Sequence, residues 1–380
     1  MKKILLVTSF LTILIIGGYI YWDKTLGLST IPLISNKYFC KKSVPEEKDF
    51  LIKNFVPNYN VSKTEEEEFY SIIKNTFDQT KFESYRRILQ ETKSISPQAY
   101  FIIEKHNLRL PEYTKDTFNF WLLGDQRSIA ETSHEYSHTA KYPCFSEKYK
   151  CIKNEDSTLT HQYGLFSLSF IDEGIVHKKY YWIEDKLVPI YLNLRSLYRV
   201  KYIKQKPNNG SLLDTRIDSS YSEADIGILV DEINTYTLAS KVIRSAECSN
   251  LPKSNVNSLF YSSVNSRLIY LASLYLQDAK NNRRHVWDDL KQNKEFAYLM
   301  RFITEKAKEE IDYTKQEFSK NKVNTIRDVN TSEQINQNLL LSGPILQDFY
   351  IEAGIEKIPV KNMSLEDLER NTINFELIFL

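Results

Sequence analysis

Five consecutive residues, His134-Glu135-Tyr136-Ser137-His138, constrain the local fold of this chain more than any other feature. A spacing of four residues places both imidazoles on one face of an α-helix, where they can bind one zinc ion. Glu135 projects beside them, where its carboxylate can accept a proton from a metal-bound water. The motif therefore predicts a helix that carries two zinc ligands and a general base; the alternative is a polar helix with two surface histidines.

The flanking residues indicate where this helix begins and ends. Ser128 followed by Glu131 has the capping-box pattern. Asp125 offers an alternative cap, and Pro143 would end the segment. We therefore expect a helix from about Ser128 to Tyr142.

An aromatic-rich stretch from Thr117 to Leu123 lies just upstream and is typical of a β-strand, which Gly124 would end. A strand that runs directly into the motif helix could be the edge along which a peptide is bound by main-chain hydrogen bonds. An ordinary core strand is the alternative. In both cases we expect a small sheet next to the motif helix.

A zinc ion held by two histidines needs a third protein ligand and keeps its fourth position open for water. The best source of that ligand is the segment 170–177, Phe-Ile-Asp-Glu-Gly-Ile-Val-His. Ser169 with Asp172 three residues later indicates a helix start, which places Glu173 in the first turn of a second helix. Glu173 is thus the preferred third ligand.

These two motifs together resemble those of a known family. A His-Glu-x-x-His helix followed a few dozen residues later by Asp-Glu-Gly resembles the gluzincin metallopeptidases, and the similarity covers about residues 118–182. The resemblance implies that His134, His138 and Glu173 bind zinc. It also implies that Glu135 is the catalytic base.

One position departs from the family pattern. Thermolysin-like members carry an aspartate four residues after the ligand glutamate, which orients a zinc-binding histidine, whereas this chain has His177 there. Asp172 is a candidate replacement for that aspartate. His177 could instead donate a hydrogen bond to the developing oxyanion, or it could be a solvated histidine.

Glu232 is an alternative third ligand. The segment from Ser222 to Ile243 predicts a long helix, and apolar residues at helical spacings around Glu232 direct its carboxylate toward the core, where it needs a partner such as zinc. Residues 231–236, Asp-Glu-Ile-Asn-Thr-Tyr, resemble glutamate-bearing helices of other zinc peptidases, in which the ligand lies farther along the chain. Whichever carboxylate is not the ligand could orient a histidine or line the cleft.

Several residues could donate the hydrogen bond that stabilises the oxyanion. Zinc would polarise the scissile carbonyl, and a nearby donor would share the developing charge. Tyr236 could approach the bound carbonyl from the long helix, and the other candidates are His161, Tyr163 and His177.

The N-terminus predicts where this chemistry takes place. Lys2 and Lys3 precede an uncharged, mostly apolar run from Ile4 to Trp22 that is long enough to cross a bilayer. The lysines predict that the chain after Asp23 lies outside the cytoplasm. Bulky residues at the end of the run favour an uncleaved membrane anchor over a removed signal peptide. If the segment were removed, the protein would be secreted or periplasmic.

Four cysteines fit an oxidising compartment, since their number is even. Cys144 could pair with Cys151, which leaves Cys40 to pair with Cys248; free thiols are the alternative. A cysteine zinc site is disfavoured, because no two cysteines have the usual two-to-four-residue spacing.

Composition excludes some classes of protein. A net charge of +1 gives no electrostatic basis for binding nucleic acid. Hydrophobic residues at 42% and aromatic residues at 13% suffice for a folded core, so the chain is not expected to be disordered.

The organisation along the chain follows from proline positions and helical periodicity. Thr64 is expected to cap a first helix, and Ser96-Pro97 to break the pattern. Long amphipathic helices are expected over 256–279 and 286–318. Residues 1–24 are predicted to be a membrane anchor or signal peptide, and residues 25–63 a tether. A metallopeptidase domain is predicted at 64–320, with its catalytic core at about 117–245. Residues 321–380 are predicted to be a polar connector, which covers 321–338, followed by a C-terminal tail.

The fold class expected from these patterns is a predominantly helical α+β zincin. A small sheet would lie next to the motif helix, a helical C-terminal lobe would face it, and zinc would lie between them. The expected function is zinc-dependent hydrolysis of a peptide or protein substrate outside the cytoplasm. The alternative is a membrane-anchored binding or assembly protein whose motif is inactive or accidental.

Overall fold

The computed structural model describes residues 59, 61–109, 111, 114–122, 124–138, 168–171, 174–183, 186–193, 224–246, 252, 258–320 and 326–355. Within these residues the chain forms ten helices and three strands. In chain order they are α1 (Lys63–Thr76), α2 (Gln79–Ile95), α3 (Pro97–Arg109), α4 (Thr114–Trp121), α5 (Gln126–His138), β1 (Leu168–Ile171), β2 (Gly174–Ile183), β3 (Lys186–Asn193), α6 (Ile226–Ala246), α7 (Ser258–Asn282), α8 (Arg284–Gln292), α9 (Lys294–Lys320) and α10 (Ile326–Glu352).

Local capping explains where the first helices begin. Ser62 and Glu65 form a reciprocal capping box at the start of α1, two residues before the expected cap at Thr64. The predicted break at Ser96-Pro97 is confirmed, because Ser96 has an extended backbone and Pro97 is the first residue of α3.

The strand predicted from Thr117 to Leu123 is wrong, since α4 occupies most of this segment. Thr114, Phe118 and Leu122 are spaced by four residues and all are buried, so the aromatic stretch buries one face with helical rather than alternating periodicity. Gly124 then has a φ of 89°, a conformation that favours glycine, and makes the turn into α5.

The expected fold class, an α+β zincin with a small sheet next to the motif helix, is therefore wrong. The segment that should have supplied the strand is helical, and the main neighbours of the motif helix α5 are helices α3 and α6. The strands come later in the chain, where β1, β2 and β3 form a three-stranded antiparallel sheet in sequence order. Tyr181 of β2 donates a hydrogen bond to the Gly227 carbonyl of α6 over 3.3 Å.

One hydrophobic core joins the helices around the motif. Buried side chains of α1 to α5 share it with the C-terminal half of α6 and with Tyr261 of α7. Helices α5 and α6 run antiparallel, because His138 at the end of α5 meets Asp231 near the start of α6. At the other end, the Gln126 amide donates to the Pro252 carbonyl beyond α6.

The C-terminal helices differ from the expected pattern at two points. The single helix expected over 286–318 is divided at Asn293, whose side chain caps the start of α9 by accepting from the Phe296 amide over 3.0 Å. The polar connector expected from Asn321 is helical from Ile326 onward, and this helix, α10, packs on α7, where Asn338 Nδ2 donates to Ser266 Oγ over 3.2 Å.

The apolar run 4–22 and all four cysteines lie outside the described residues. In the part of the chain that is described, no helix is both long enough and apolar enough to cross a bilayer.

Candidate metal centre

The helix predicted for the motif is confirmed as α5, and its cap is the alternative one. Asp125 Oδ1 accepts from the Ser128 amide over 2.6 Å. Ser128 Oγ accepts from the Gly124 amide over 3.0 Å, so the expected Ser128–Glu131 capping box does not form. Glu131 instead accepts from Arg127 Nε over 2.7 Å.

One side of α5 is fixed by packing. Ile129, Ala130 and Tyr136 are buried in the shared core. The His106 ring of α3 stacks on the Tyr136 ring with centroids 3.9 Å apart. Burial lowers the pKa of His106 to about 4, so this imidazole is neutral near pH 7. With this side packed, His134 and His138 face α6.

Three side-chain atoms converge between α5 and α6. The Nε2 atoms of His134 and His138 are 3.0 Å apart. Glu232 Oε2 of α6 lies 3.3 Å from Nε2 of His138 and 3.7 Å from Nε2 of His134. A tetrahedral zinc ion with bonds of about 2.0–2.2 Å holds its donors about 3.3 Å apart, so a single point about 2 Å from all three atoms exists here. The three residues thus have the geometry of a metal-binding group.

Glu232 is held in this position by the surroundings of α6. Leu229, Val230 and Ile233 are fully buried around it, and Glu232 itself is only 9% exposed. A carboxylate in such surroundings is costly unless a charge or a hydrogen bond compensates for the lost hydration. The Nε2 atoms of the two imidazoles lie 3.3 and 3.7 Å from its Oε2 atom.

Asp231 fixes the orientation of His138. Its Oδ2 lies 2.9 Å from His138 Nδ1, and Asp231 is 2% exposed. A carboxylate accepts hydrogen bonds, so a neutral His138 that pairs with Asp231 carries its proton on Nδ1 and turns its Nε2 lone pair toward the cluster. Nε2 and Glu232 Oε2 are then two acceptors 3.3 Å apart, an arrangement that repels unless a cation or an added proton lies between them.

Two predicted catalytic residues lie on the helices that carry the cluster. Glu135 is half-buried on α5. It follows His134 directly and therefore lies about 100° further around the helix. Tyr236 is half-buried on α6, and its ring centroid lies 4.3 Å from that of His134. The structure therefore brings together His134, His138, Glu232 and Tyr236.

The other predicted residues are either outside the described part of the chain or on the sheet. Glu173, Asp172, His161 and Tyr163 are not among the described residues. The helix expected to start at Ser169 is wrong, because β1 and β2 occupy residues on both sides of Glu173. His177 belongs to β2, where its backbone pairs with Leu168 of β1 and Leu192 of β3.

Sequence reasoning missed two residues of the cluster. Asp231 was not assigned to His138, and Thr235 was not singled out, although its Oγ1 lies 3.4 Å from His138 Nε2. Asp231 precedes Glu232 directly, and Thr235 lies three residues after Glu232, a spacing at which side chains on a helix share a face. That proximity to a candidate ligand was the available signal.

Comparison of this chain with protein-family models, with curated proteins and with solved structures finds no match.

Proposed function

We propose that this chain is a zinc-dependent peptidase whose metal ligands are His134, His138 and Glu232. The convergence of two imidazole nitrogens and one carboxylate oxygen within 3.0–3.7 Å of one another carries the proposal. The proposal takes Glu232, the alternative from the sequence, as the third ligand in place of Glu173.

The donor set supports zinc in a catalytic rather than a structural site. Two histidines and one glutamate leave a fourth position open, which is the ligand pattern of catalytic zinc, whereas structural sites are closed by four protein ligands. The carboxylate of Asp231 behind His138 supports the same assignment, because ligand histidines commonly donate their second N–H to a carboxylate.

The chain's own residues then have defined roles. Zinc bound here would polarise a carbonyl group and lower the pKa of a water molecule to about 7. Glu135 takes a proton from the attacking water and passes it to the leaving amine. Tyr236, against the His134 ring, is the candidate donor to the oxygen that gains charge.

The location of this activity is part of the proposal. The apolar run 4–22 with its preceding lysines supports a membrane anchor or signal peptide that exports the domain. The substrate would be a peptide or protein encountered outside the cytoplasm.

Glu135→Gln tests the proposal. The substitution keeps the size of the side chain and removes the base, so zinc content should stay unchanged while hydrolysis falls about 100- to 10,000-fold. Cleavage is measured by mass spectrometry on a mixed peptide library. Glu131→Gln, one turn earlier on α5, is the matched control and should retain activity.

Two outcomes would contradict the proposal. Cleavage that is unchanged in Glu135→Gln would remove this residue from the mechanism. A zinc-loaded wild-type protein that cleaves no peptide would favour the alternative, a membrane-anchored binding protein with an inactive motif.

A further inference from the structure

A cleft lies where α3, α5, α6 and α9 meet. Its empty volume, including the part open to solvent, is about 320 Å³, near the lower limit for small-molecule pockets. Ser137 lines it from α5 and Asn234 lines it from α6. Ser137 follows Glu135 by two residues and Asn234 follows Glu232 by two, so each is about 200° further around its helix. The cleft therefore lies on a different side of these helices from the candidate base and the candidate third ligand.

The charged side chains that line this cleft are positive. They are Lys241 of α6 and Lys306 of α9, and the described residues of the lining include no carboxylate. Glu310, one turn after Lys306, is already paired with Arg244, which donates to both of its oxygens over 3.0 and 2.9 Å. Two ammonium groups on one cleft favour a ligand of opposite charge.

Lys241 differs from other lysines of the C-terminal helices. Lys280, Lys291 and Lys308 each have Nζ within 3.6 Å of a carboxylate oxygen. Lys241 has no ion pair and no hydrogen bond with any residue in the described part of the chain, although its side chain is half-buried. An ammonium group that is partly removed from water is stabilised by an anionic partner, and a ligand in the cleft would supply one.

The hydrogen-bond donors of the cleft also fit an anion. The hydroxyls of Ser137 and Thr237 already donate to carbonyls four residues earlier, at 2.7 and 2.6 Å. The lining offers a ligand the ammonium groups of Lys241 and Lys306 and the side-chain amide of Gln98. Gln98 lies in the first turn of α3, where the helix dipole adds to the positive potential. A carboxylate or phosphate group only accepts hydrogen bonds at its charged oxygens and matches these donors.

We propose that this cleft is an anion site, which binds the carboxylate or phosphate group of a small ligand through Lys241, Lys306 and Gln98. It contains none of the candidate zinc ligands and not the candidate base. The inference therefore stands independently of the proposed zinc site and gives the chain a second binding site on the motif helix.

Isothermal titration calorimetry of the full chain at constant ionic strength tests the inference, with inorganic phosphate and acetate as the two probes. We expect saturable binding of at least one of them, and the tighter one identifies the group that the site takes. Lys241→Met keeps most of the apolar stem and removes the charge, so it should bind that anion about 10-fold more weakly. Lys241→Arg keeps the charge and should retain most of the affinity.

The control is Lys74→Met, the same change at an exposed lysine of α1 outside the cleft. It should bind the anion like the wild type. If Lys241→Met does not fold, as judged by circular dichroism, Lys241→Gln removes the same charge with a polar side chain and carries the test.

Three results would overturn the proposal. The first is the absence of saturable binding with both phosphate and acetate. The second is equal anion affinity in Lys241→Met and wild type. The third is an equal loss of affinity in Lys74→Met, which would show a general effect of net charge instead of a site in the cleft.

Discussion

Oδ2 of Asp231 lies 2.9 Å from Nδ1 of His138, so a buried carboxylate on α6 orients an imidazole on α5. The sequence pattern of thermolysin-like enzymes places such an aspartate shortly after the ligand glutamate. In this chain the carboxylate is instead the residue just before Glu232. One turn of α6 therefore provides both a candidate ligand and the group that orients another.

Asp231→Asn is expected to weaken zinc binding about 10-fold, because the amide keeps an acceptor but loses the charge that favours the Nδ1–H form of His138. Chelator competition measures the effect. Asp225→Asn on the same helix is the control: Asp225 caps α6 by accepting from the Ile228 amide, and asparagine caps equally well. Equal zinc affinities in the two variants would contradict the role of Asp231.

Glu104 of α3 is a second unusual carboxyl group. It is fully buried, and neither of its oxygens has a hydrogen-bond partner among the described residues. Burial raises the pKa of Glu104 from 4.5 to about 8, against the opposing effect of Lys105. Between pH 4.5 and pH 8, unfolding therefore releases a proton from this group, and stability falls as the pH rises through that range.

Glu104→Gln should remove this pH dependence, because glutamine imitates the neutral acid and cannot ionise. The loss of unfolding free energy between pH 5 and pH 8 should shrink by about 3 kcal/mol. Urea unfolding at the two pH values measures it, with the exposed Glu68→Gln as control. A pH dependence that persists unchanged in Glu104→Gln would show that the folded protein does not raise the pKa of Glu104.

An ion pair connects α6 to α9. Arg244 donates to both oxygens of Glu310, over 3.0 and 2.9 Å, and its guanidinium lies 4.2 Å from the centre of the Tyr313 ring. Glu310 is nearly buried. The pair joins the C-terminal part of α6, the helix that also carries Glu232, to α9.

Arg244→Met should destabilise the protein by about 2 kcal/mol, because it leaves the Glu310 carboxylate buried without its cation. Replacing both residues by methionine should recover much of this loss, since the uncompensated charge is then absent. Urea midpoints of the single and double variants measure both effects. If Arg244→Met unfolds at the wild-type midpoint, the pair does not hold α6.

The motif helix could be predicted because its determinants are local. Histidines four residues apart, a capping aspartate and helical periodicity all lie within one short segment. The same local reasoning failed for α4, where Phe118 fits both an alternating pattern and a spacing of four. Thr114 and Leu122 are buried on the same face as Phe118, which is the spacing of a helix. This burial depends on neighbouring helices.

The position of Glu232 beside the two histidines could not be predicted from the sequence because it depends on packing between distant segments. Asp-Glu-Gly at 172–174 lies closer to the motif and matches a familiar order, whereas Glu232 reaches the histidines only because α5 and α6 pack antiparallel. The apolar surroundings of Glu232 were the useful signal, since they predicted a buried carboxylate that needs a partner.

Zinc content per chain after reconstitution, measured by inductively coupled plasma mass spectrometry, tests the assigned metal site. We predict about one zinc ion per wild-type chain, lost in His138→Ala and in Glu232→Ala and retained in Glu173→Ala. A wild-type protein without bound zinc would contradict the site. Zinc retained in Glu232→Ala but lost in Glu173→Ala would contradict the ligand assignment.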